Sequence, residues 1–183
     1  MKNIIILGHA RSGKTTLSKM IANRFNYNLL TFDNLVTSFQ KCFPQIGIRH
    51  TYSKENSEIL SPFVVKLVNC MVSNYPERPH IFEGSHVFPE NIHNKLDKEK
   101  FKIICLGCPS LTNIEFLNSI RKFDTEDEWT NGLKDEELLS FCSKWVETCK
   151  ALSSQCKKIN IAFFDTSNHR QKTLEAIVSQ LFD

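Results

Sequence analysis

The most constraining feature of the sequence is a glycine-containing segment that lies between an apolar run and an amphipathic stretch. It reads GHARSGKT over residues 8–15 and fits the pattern of glycine, any four residues, glycine, lysine and a hydroxyl residue. Residues 3–7 before it predict a buried strand, and residues 12–25 predict a helix. A strand that enters a helix through such a loop favours a phosphate-binding α/β fold. A tight turn that binds no anion is the alternative.

The residue types in this loop suit a polyphosphate. Two glycines let the backbone turn so that successive amides point to one centre, where the helix dipole adds positive potential. Lys14 is expected to reach the β and γ phosphates, Thr15 to hold Mg²⁺, and Thr16 to bond an earlier phosphate. The predicted nucleotide-binding residues are Gly8, His9, Ala10, Arg11, Ser12, Gly13, Lys14, Thr15 and Thr16.

Short apolar runs alternate with helical patterns along the whole chain. The runs cover residues 3–7, 28–32, 80–83, 102–106 and 160–164 and are rich in Ile, Leu or Phe, as strands buried on both faces are. Helices are predicted over residues 12–25, 34–43, 53–75, 135–157 and 167–182, with a kink or break at Pro62. The alternation predicts a single α/β domain over residues 1–183, with a parallel sheet covered on both faces.

Composition excludes several classes of protein. Lys and Arg exceed Asp and Glu by 23 to 20, a balance of +3 that is too weak to indicate a nucleic-acid or membrane partner. No run approaches the ~18 apolar residues of a membrane span, and the amino end turns polar too soon for a signal peptide. Seven cysteines, an odd number without a disulfide-dense rhythm, favour a reducing compartment. We therefore expect a cytoplasmic protein.

The cysteines have two interpretations. Cys105 and Cys108 have the gap of a zinc or redox pair, but the sequence offers no second pair at matching spacing, so we place them at the end of a buried strand. Cys142, Cys149 and Cys156 recur every seven residues. This repeat predicts the packing face of a helix rather than a metal site.

Acidic residues follow two of the other predicted strands. Asp33 comes one residue past the second strand, and Glu83 ends the third. The carboxyl ends of parallel strands meet at one edge of a sheet, so both acids are expected near the phosphate loop. Either one can accept the proton of an acceptor hydroxyl or hold a metal, and the choice between them stays open. For Asp33, capping of the following helix is an additional role.

Three more residues are candidates at this edge. His86, in the segment EGSH, is a candidate substrate contact or an ordinary loop histidine. Arg49 lies between the second and third helices, where an acceptor can enter; a surface charge is the alternative. Arg121 lies in residues 111–134, the lid segment, which is predicted to be a mobile flap or a helix pair projecting from the core, with a plain solvated surface excursion as the alternative. An arginine there can close over the phosphates and stabilise transition-state charge.

At this point the chain resembles the P-loop kinases of the nucleoside-monophosphate kinase and shikimate kinase group. The likeness is carried by residues 8–16, Asp33, Glu83 with Gly84, the arginine-bearing lid segment, and Asp165-Thr166-Ser167 after the fifth strand. The resemblance implies a three-layer P-loop fold with a five-stranded parallel sheet ordered 2-3-1-4-5. It also implies an acceptor-binding region around residues 34–75, a lid at about 111–134, and MgATP as the phosphoryl donor.

The sequence departs from that group in three places. Arg11 stands where many members have glycine, and the third strand ends in Ile81-Phe82-Glu83 instead of an apolar run with aspartate. The lid segment has one arginine rather than several. These departures make a standard adenylate kinase an unsuitable assignment and leave the acceptor open.

The resulting functional hypothesis is transfer of the ATP γ-phosphoryl group, with Mg²⁺, to a small-molecule acceptor such as a nucleotide or another metabolite. Lys14, Asp33 and Arg121 are the expected catalytic residues; Asp33, Arg49, Glu83 and His86 the expected acceptor contacts; and Thr15 and Glu83 the expected metal ligands. The alternative is a regulatory NTPase that hydrolyses ATP or GTP without such an acceptor. A kinase of nucleic-acid ends would require a basic groove, which the composition does not indicate.

Overall fold

A parallel sheet forms the centre of the protein in a computed structural model that describes residues 1–126 and 128–182. Its strands are β1 (Asn3–Gly8), β2 (Asn28–Thr31), β3 (His80–Gly84), β4 (Phe101–Gly107) and β5 (Ala162–Asp165). They are ordered β2-β3-β1-β4-β5, and every neighbouring pair is parallel. The predicted strand order is confirmed.

Helices cover both faces of this sheet. They are α1 (Lys14–Phe25), α2 (Phe32–Cys42), α3 (Lys54–Asn74), α4 (Pro89–Ile92), α5 (Asn113–Phe123), α6 (Asp135–Lys158) and α7 (Arg170–Phe182), with a 3-10 turn at Pro44–Ile46. The predicted helices recur with bounds shifted by a few residues. The sequence patterns did not resolve α4 or the 3-10 turn, because these elements are short, and they gave helical structure in the region of α5 only as one of several alternatives.

The central strand β1 is buried along its whole length. Its side chains alternate between two apolar clusters, as a strand covered on both faces requires. Ile5 and Leu7 pack with residues of α2, α3 and α6, whereas Ile4 and Ile6 pack with residues of α1 and α7. The loop that follows β1 therefore leaves the sheet at its centre, with strand ends on either side.

Two sequence expectations about the helices are wrong. Asp33 does not cap α2, because the helix begins one residue earlier and the Thr31 side chain accepts a hydrogen bond from the Asp33 amide. The side chain of Asp33 therefore lies in the first turn, outside the capping position. The break at Pro62 also does not occur, since α3 continues through that residue, and the kink that was the other expected outcome stays a prediction. Leu60, Val64 and Val68 are fully buried along this helix, and their packing offsets the hydrogen bond that proline removes.

The cysteine repeat forms an internal face of α6. Cys142, Cys149 and Cys156 are buried, as are Leu138 and Leu152 on the same helix, so the predicted packing role is confirmed. Burial raises the pKa of Cys149 to about 12 and that of Cys142 to about 11.

The end of β4 is equally enclosed. Cys105 and Cys108 are both buried, and the Cys108 Sγ lies 3.3 Å from the Thr166 Oγ1. Throughout the described residues, none of the helices combines the length and apolarity needed to cross a membrane.

Candidate active site

The loop between β1 and α1 bends through three left-handed backbone positions. Gly8 has φ 146°, Arg11 has φ 65° and Gly13 has φ 91°. A Cβ on Gly8 would lie 2.0 Å from the carbonyl oxygen of Leu106, so β4 approaches the loop directly. This curvature is the one expected of a backbone nest for phosphate, with the amino end of α1 completing it.

The carboxyl-terminal part of the chain holds the loop in place. The buried Thr166 hydroxyl donates to the Ser12 carbonyl oxygen at 2.9 Å, and the Arg170 guanidinium donates to the carbonyl of Arg11. Inside the loop, the Ser12 hydroxyl donates to the His9 carbonyl at 2.8 Å. The loop shape is therefore fixed by contacts that bind backbone carbonyls, which leaves its amides for a ligand.

Lys14 begins α1 and is buried. Its Nζ donates to the His9 carbonyl oxygen at 2.9 Å. Burial lowers the pKa of Lys14, while the charges of Glu83 and Asp33 act in the opposite direction. The ammonium group of Lys14 thus lies inside the loop, close enough to Glu83 and Asp33 to interact with their negative charges.

Thr15 and Glu83, the two residues predicted to hold a metal, lie together. The Thr15 Oγ1 donates to the Oε1 of Glu83, which lies near the carboxyl end of β3, at 3.3 Å. Glu83 is 4% exposed, whereas Thr15 and Thr16 are exposed on the first turn of α1. A hydroxyl and a carboxylate are oxygen donors of the kind that Mg²⁺ prefers, so this pair fits the cation.

Asp33 is paired with a histidine. The Asp33 Oδ1 lies 3.3 Å from the Nε2 of His86, and the Nδ1 of His86 lies 3.3 Å from the carbonyl oxygen of Thr51. Burial alone would raise the pKa of Asp33, but the hydrogen bond and charge of His86 outweigh it and the pKa lies below its usual range. The carboxylate is therefore held ionised while half of its side chain stays exposed.

A second histidine, which the sequence analysis did not single out, belongs to the same cluster. The ring of His50 lies 5.2 Å from that of His86, and its Nε2 lies 2.9 Å from the Thr37 Oγ1. Burial and the nearby His86 lower the pKa of His50. Its position next to Arg49 was the available signal, but nothing local distinguishes it from an ordinary loop residue.

Arg49 makes its contacts within its own loop. Its guanidinium donates to the carbonyl oxygens of Pro44 at 3.2 and 3.3 Å and of Ile48 at 2.9 Å, and its amide donates to the Asn56 Oδ1 at 2.8 Å. The residue thus shapes the loop between α2 and α3. Direct contact with an acceptor stays a prediction.

Arg121 likewise binds the lid segment from which it comes. It donates to the Asp135 Oδ1 at 2.8 and 2.9 Å and to the carbonyl oxygens of Thr130 and Leu133 at 3.0 and 2.5 Å. The guanidinium therefore organises the end of α5 and the start of α6. Its predicted contact with phosphate is not made by these bonds and stays a prediction.

The lid segment reaches the phosphate loop through Asp124, an acid that the sequence analysis did not single out. Arg11 forms ion pairs with Asp124 and, at 3.0 Å, with Glu128. The Thr130 hydroxyl also donates to Asp124 at 2.6 Å, and the Asp124 side chain is 3% exposed. Arg11, which differs from the usual glycine, thus connects the loop to the lid segment.

Aromatic rings surround the second residue of the loop. The His9 ring lies 5.1 Å from Tyr52 and 5.5 Å from Trp145, and Tyr52 lies 4.7 Å from Phe88. Burial, with a smaller contribution from the Lys14 charge, lowers the pKa of His9 to about 4. Within residues 1–126 and 128–182, the Nδ1 of this buried histidine has no hydrogen-bond partner.

Comparison with known proteins finds no matching family model. A shikimate kinase of Caldicellulosiruptor saccharolyticus is 29% identical over 136 residues, which are 66% of this chain and 79% of that protein. The structure of a shikimate kinase from Bacteroides thetaiotaomicron superposes with a TM-score of 0.62 at 16% identity, covering 98% of this chain and 96% of the other. A gluconokinase from Sinorhizobium meliloti gives 0.58 at 13% identity, covering 99% and 95%. Both superpositions show the same fold.

Proposed function

We propose that this chain is a P-loop small-molecule kinase of the adenylate kinase-like group, and that it transfers the γ-phosphoryl group of ATP to its acceptor with Mg²⁺. The observation that carries this proposal is the grouping of Lys14, the Thr15–Glu83 pair and Asp33 around one loop at the centre of the sheet edge. A cation, a metal-binding pair and an ionised acid are the groups that phosphoryl transfer requires.

The donor is held by the loop and by Lys14. Backbone amides of residues 8–13 and the dipole of α1 attract the phosphates. Lys14 Nζ exchanges its bond to the His9 carbonyl for the β and γ phosphates and offsets the charge that develops as the phosphoryl group leaves. Thr15 and Glu83 would supply oxygen ligands for Mg²⁺, which when bound would offset part of the phosphate charge.

Glu83 and Asp33 have different proposed roles. Glu83 is buried and bonded to Thr15, a position suited to the metal. Asp33 is half exposed and ionised, a position suited to an acceptor hydroxyl, from which it takes the proton. His86 positions this carboxylate. The kinase relatives do not favour a regulatory NTPase without an acceptor.

The test of this function is a transfer assay. Incubation with γ-labelled ATP, Mg²⁺ and pooled nucleotides, sugars and metabolites is expected to place the label in a small-molecule product. The control omits the acceptor pool and is expected to release little label. Labelled free phosphate as the only product, at the same rate with and without the pool, would contradict the proposal.

Glu83→Gln is expected to weaken the use of Mg²⁺. The substitution keeps the shape of the side chain but removes the negative charge beside Thr15, and changes of this kind cost roughly 10- to 100-fold in metal affinity or activity. The measurement is the Mg²⁺ concentration that half-saturates transfer. Glu58→Gln, an exposed acid on α3, is the matched control, and equal Mg²⁺ dependence in the two variants would rule out the role given to Glu83.

A further inference from the structure

The arginines around the site are already bound by protein groups. Those at or near this edge are Arg11, Arg49, Arg121 and Arg170, and each makes its contacts with carboxylates or backbone carbonyls. The remaining two lie elsewhere: Arg24 ends α1, and Arg78 precedes β3 and bonds Asn28. Proteins that recognise carboxylate or phosphate typically use a bidentate arginine. Such recognition would here require an arginine to abandon its present partners.

Asp33 supplies the exposed charge at the proposed acceptor position, since the cation within its field, Lys14, is buried and bonded to the His9 carbonyl, where it is assigned to the phosphates of ATP. Asp33 presents a half-exposed carboxylate, flanked by His86, His50 and the Thr37 hydroxyl. Lys54, at the start of α3, is 3.8 Å from Glu58. An anionic acceptor that approached the Asp33 carboxylate would therefore meet a like charge, which disfavours its binding.

A row of aromatic rings adjoins this cluster. It starts with Phe88, Tyr52, His9 and Trp145 and ends with Trp129 and Phe141, each in contact with another ring of the row at centroid distances between 4.7 and 6.0 Å. Trp129 is 57% exposed and Phe141 38% exposed. The row thus extends from the loop before α3 to the lid segment and ends in two exposed aromatic side chains, a type of side chain on which flat ligands stack favourably.

His9 adds a polar contact within this row. The residue is 3% exposed, and its Nδ1 has no partner among the described residues. A buried polar atom without a partner costs free energy that a ligand hydrogen bond can recover. With its pKa lowered to about 4, the imidazole is neutral at neutral pH and suits an uncharged ligand group.

We propose that the acceptor is an uncharged alcohol that carries a flat ring, such as a nucleoside or an aryl glycoside. Its ring stacks on the aromatic row, and its hydroxyl faces Asp33. The alcohol oxygen forms the new bond to the γ phosphorus, the bond between that phosphorus and ADP breaks, and Asp33 takes the hydroxyl proton. This inference rests on the proposed kinase function and narrows it to one class of acceptor.

Matched acceptor pairs that differ in one charged group test this class. The pairs are adenosine with AMP, thymidine with its 5′-monophosphate, and p-nitrophenyl β-glucoside with p-nitrophenyl β-glucuronide. Transfer from labelled ATP is expected to a neutral member, with kcat/KM at least tenfold above that of its anionic partner. Equal or faster transfer to the anionic partner overturns the proposal. The proposal is also overturned if protein that binds MgATP phosphorylates none of the three neutral compounds.

This result is separable from failure of the kinase function itself. Transfer to anionic members or to the metabolite pool would keep the kinase and remove only the neutral class. Release of free phosphate alone would remove both.

Substitution of Trp129 tests the stacking part. Trp129→Leu is expected to raise KM for the neutral acceptor about three- to tenfold, with kcat and the KM for ATP little changed. Because Trp129 is exposed, the variant is expected to fold. Ile114→Ala, at an exposed apolar position on α5, is the matched control and is expected to leave KM unchanged. An unchanged KM in Trp129→Leu would overturn the role of the row.

Discussion

Replacing Lys14 with alanine is expected to lower phosphoryl transfer roughly a thousandfold. The side chain is buried inside the phosphate loop and bonded only to the His9 carbonyl among the hydrogen bonds of the described residues. In the proposed function its charge offsets that of the γ phosphate, and removal of a preorganised charge of this kind costs roughly 10² to 10³ or more in rate. The measurement is kcat for labelled ATP with the acceptor identified by the transfer assay.

The fold should not suffer from the same substitution. Burial disfavours the charged form of Lys14, as the lowered pKa shows, so its removal relieves a desolvation cost. Circular dichroism and the Tm are expected to match those of the parent protein. Lys19→Ala, which removes an exposed lysine from the same helix, is the control for charge and is expected to keep full activity. Activity of Lys14→Ala within tenfold of the parent would show that another group stabilises the phosphate charge.

Replacing Gly8 with alanine is expected to destabilise the protein by about 3 kcal/mol or more. The new Cβ would lie 2.0 Å from the backbone oxygen of Leu106, the residue that pairs with Gly8 in the sheet, at a φ of 146° that side chains rarely adopt. Relief requires β1 and β4 to separate where the loop begins. The urea midpoint is expected to fall clearly, and ATP affinity to fall with it.

Gly132→Ala supplies the matched control for this prediction. A Cβ at Gly132 would meet no heavy atom of the described residues within 4 Å. Its free energy of unfolding is expected to stay within about 0.5 kcal/mol of the parent value. If Gly8→Ala and Gly132→Ala unfolded at the same urea concentration, the close approach of β4 to the loop would be wrong.

The strands and the phosphate loop could be predicted because their signals are local, whereas the order of the strands came only from the resemblance to P-loop kinases. Each strand is an apolar run, and the loop residues are consecutive in the sequence. The predicted start of α2 was less accurate, because two residues near it could each cap the helix. Thr31 and Asp33 are both favoured caps, and only the packing of Phe32 in the core shows that the helix begins early enough for Thr31 to take it.

The candidate site was predictable only in part. Asp33 and Glu83 follow strands, so the topology alone places them at the correct edge. The partners of Arg49 and Arg121 are backbone carbonyls and acids brought close by loop geometry, which no sequence period encodes. For the same reason His50, Tyr52 and Asp124 carried no signal, although they contact His86, His9 and Arg11 respectively.

The ion pair between Arg11 and Asp124 connects the loop after β1 to the lid segment. If the part of the lid segment that carries Asp124 moves away from the loop, one of two changes must follow. Either the ion pair breaks and the Asp124 carboxylate, now 3% exposed, becomes hydrated, or Arg11 moves with the segment. Since Arg11 sits in a left-handed conformation within the loop, dragging it would reshape the cradle itself. Movement of the lid segment and a change in the shape of the loop therefore occur together, unless the ion pair between Arg11 and Asp124 breaks first.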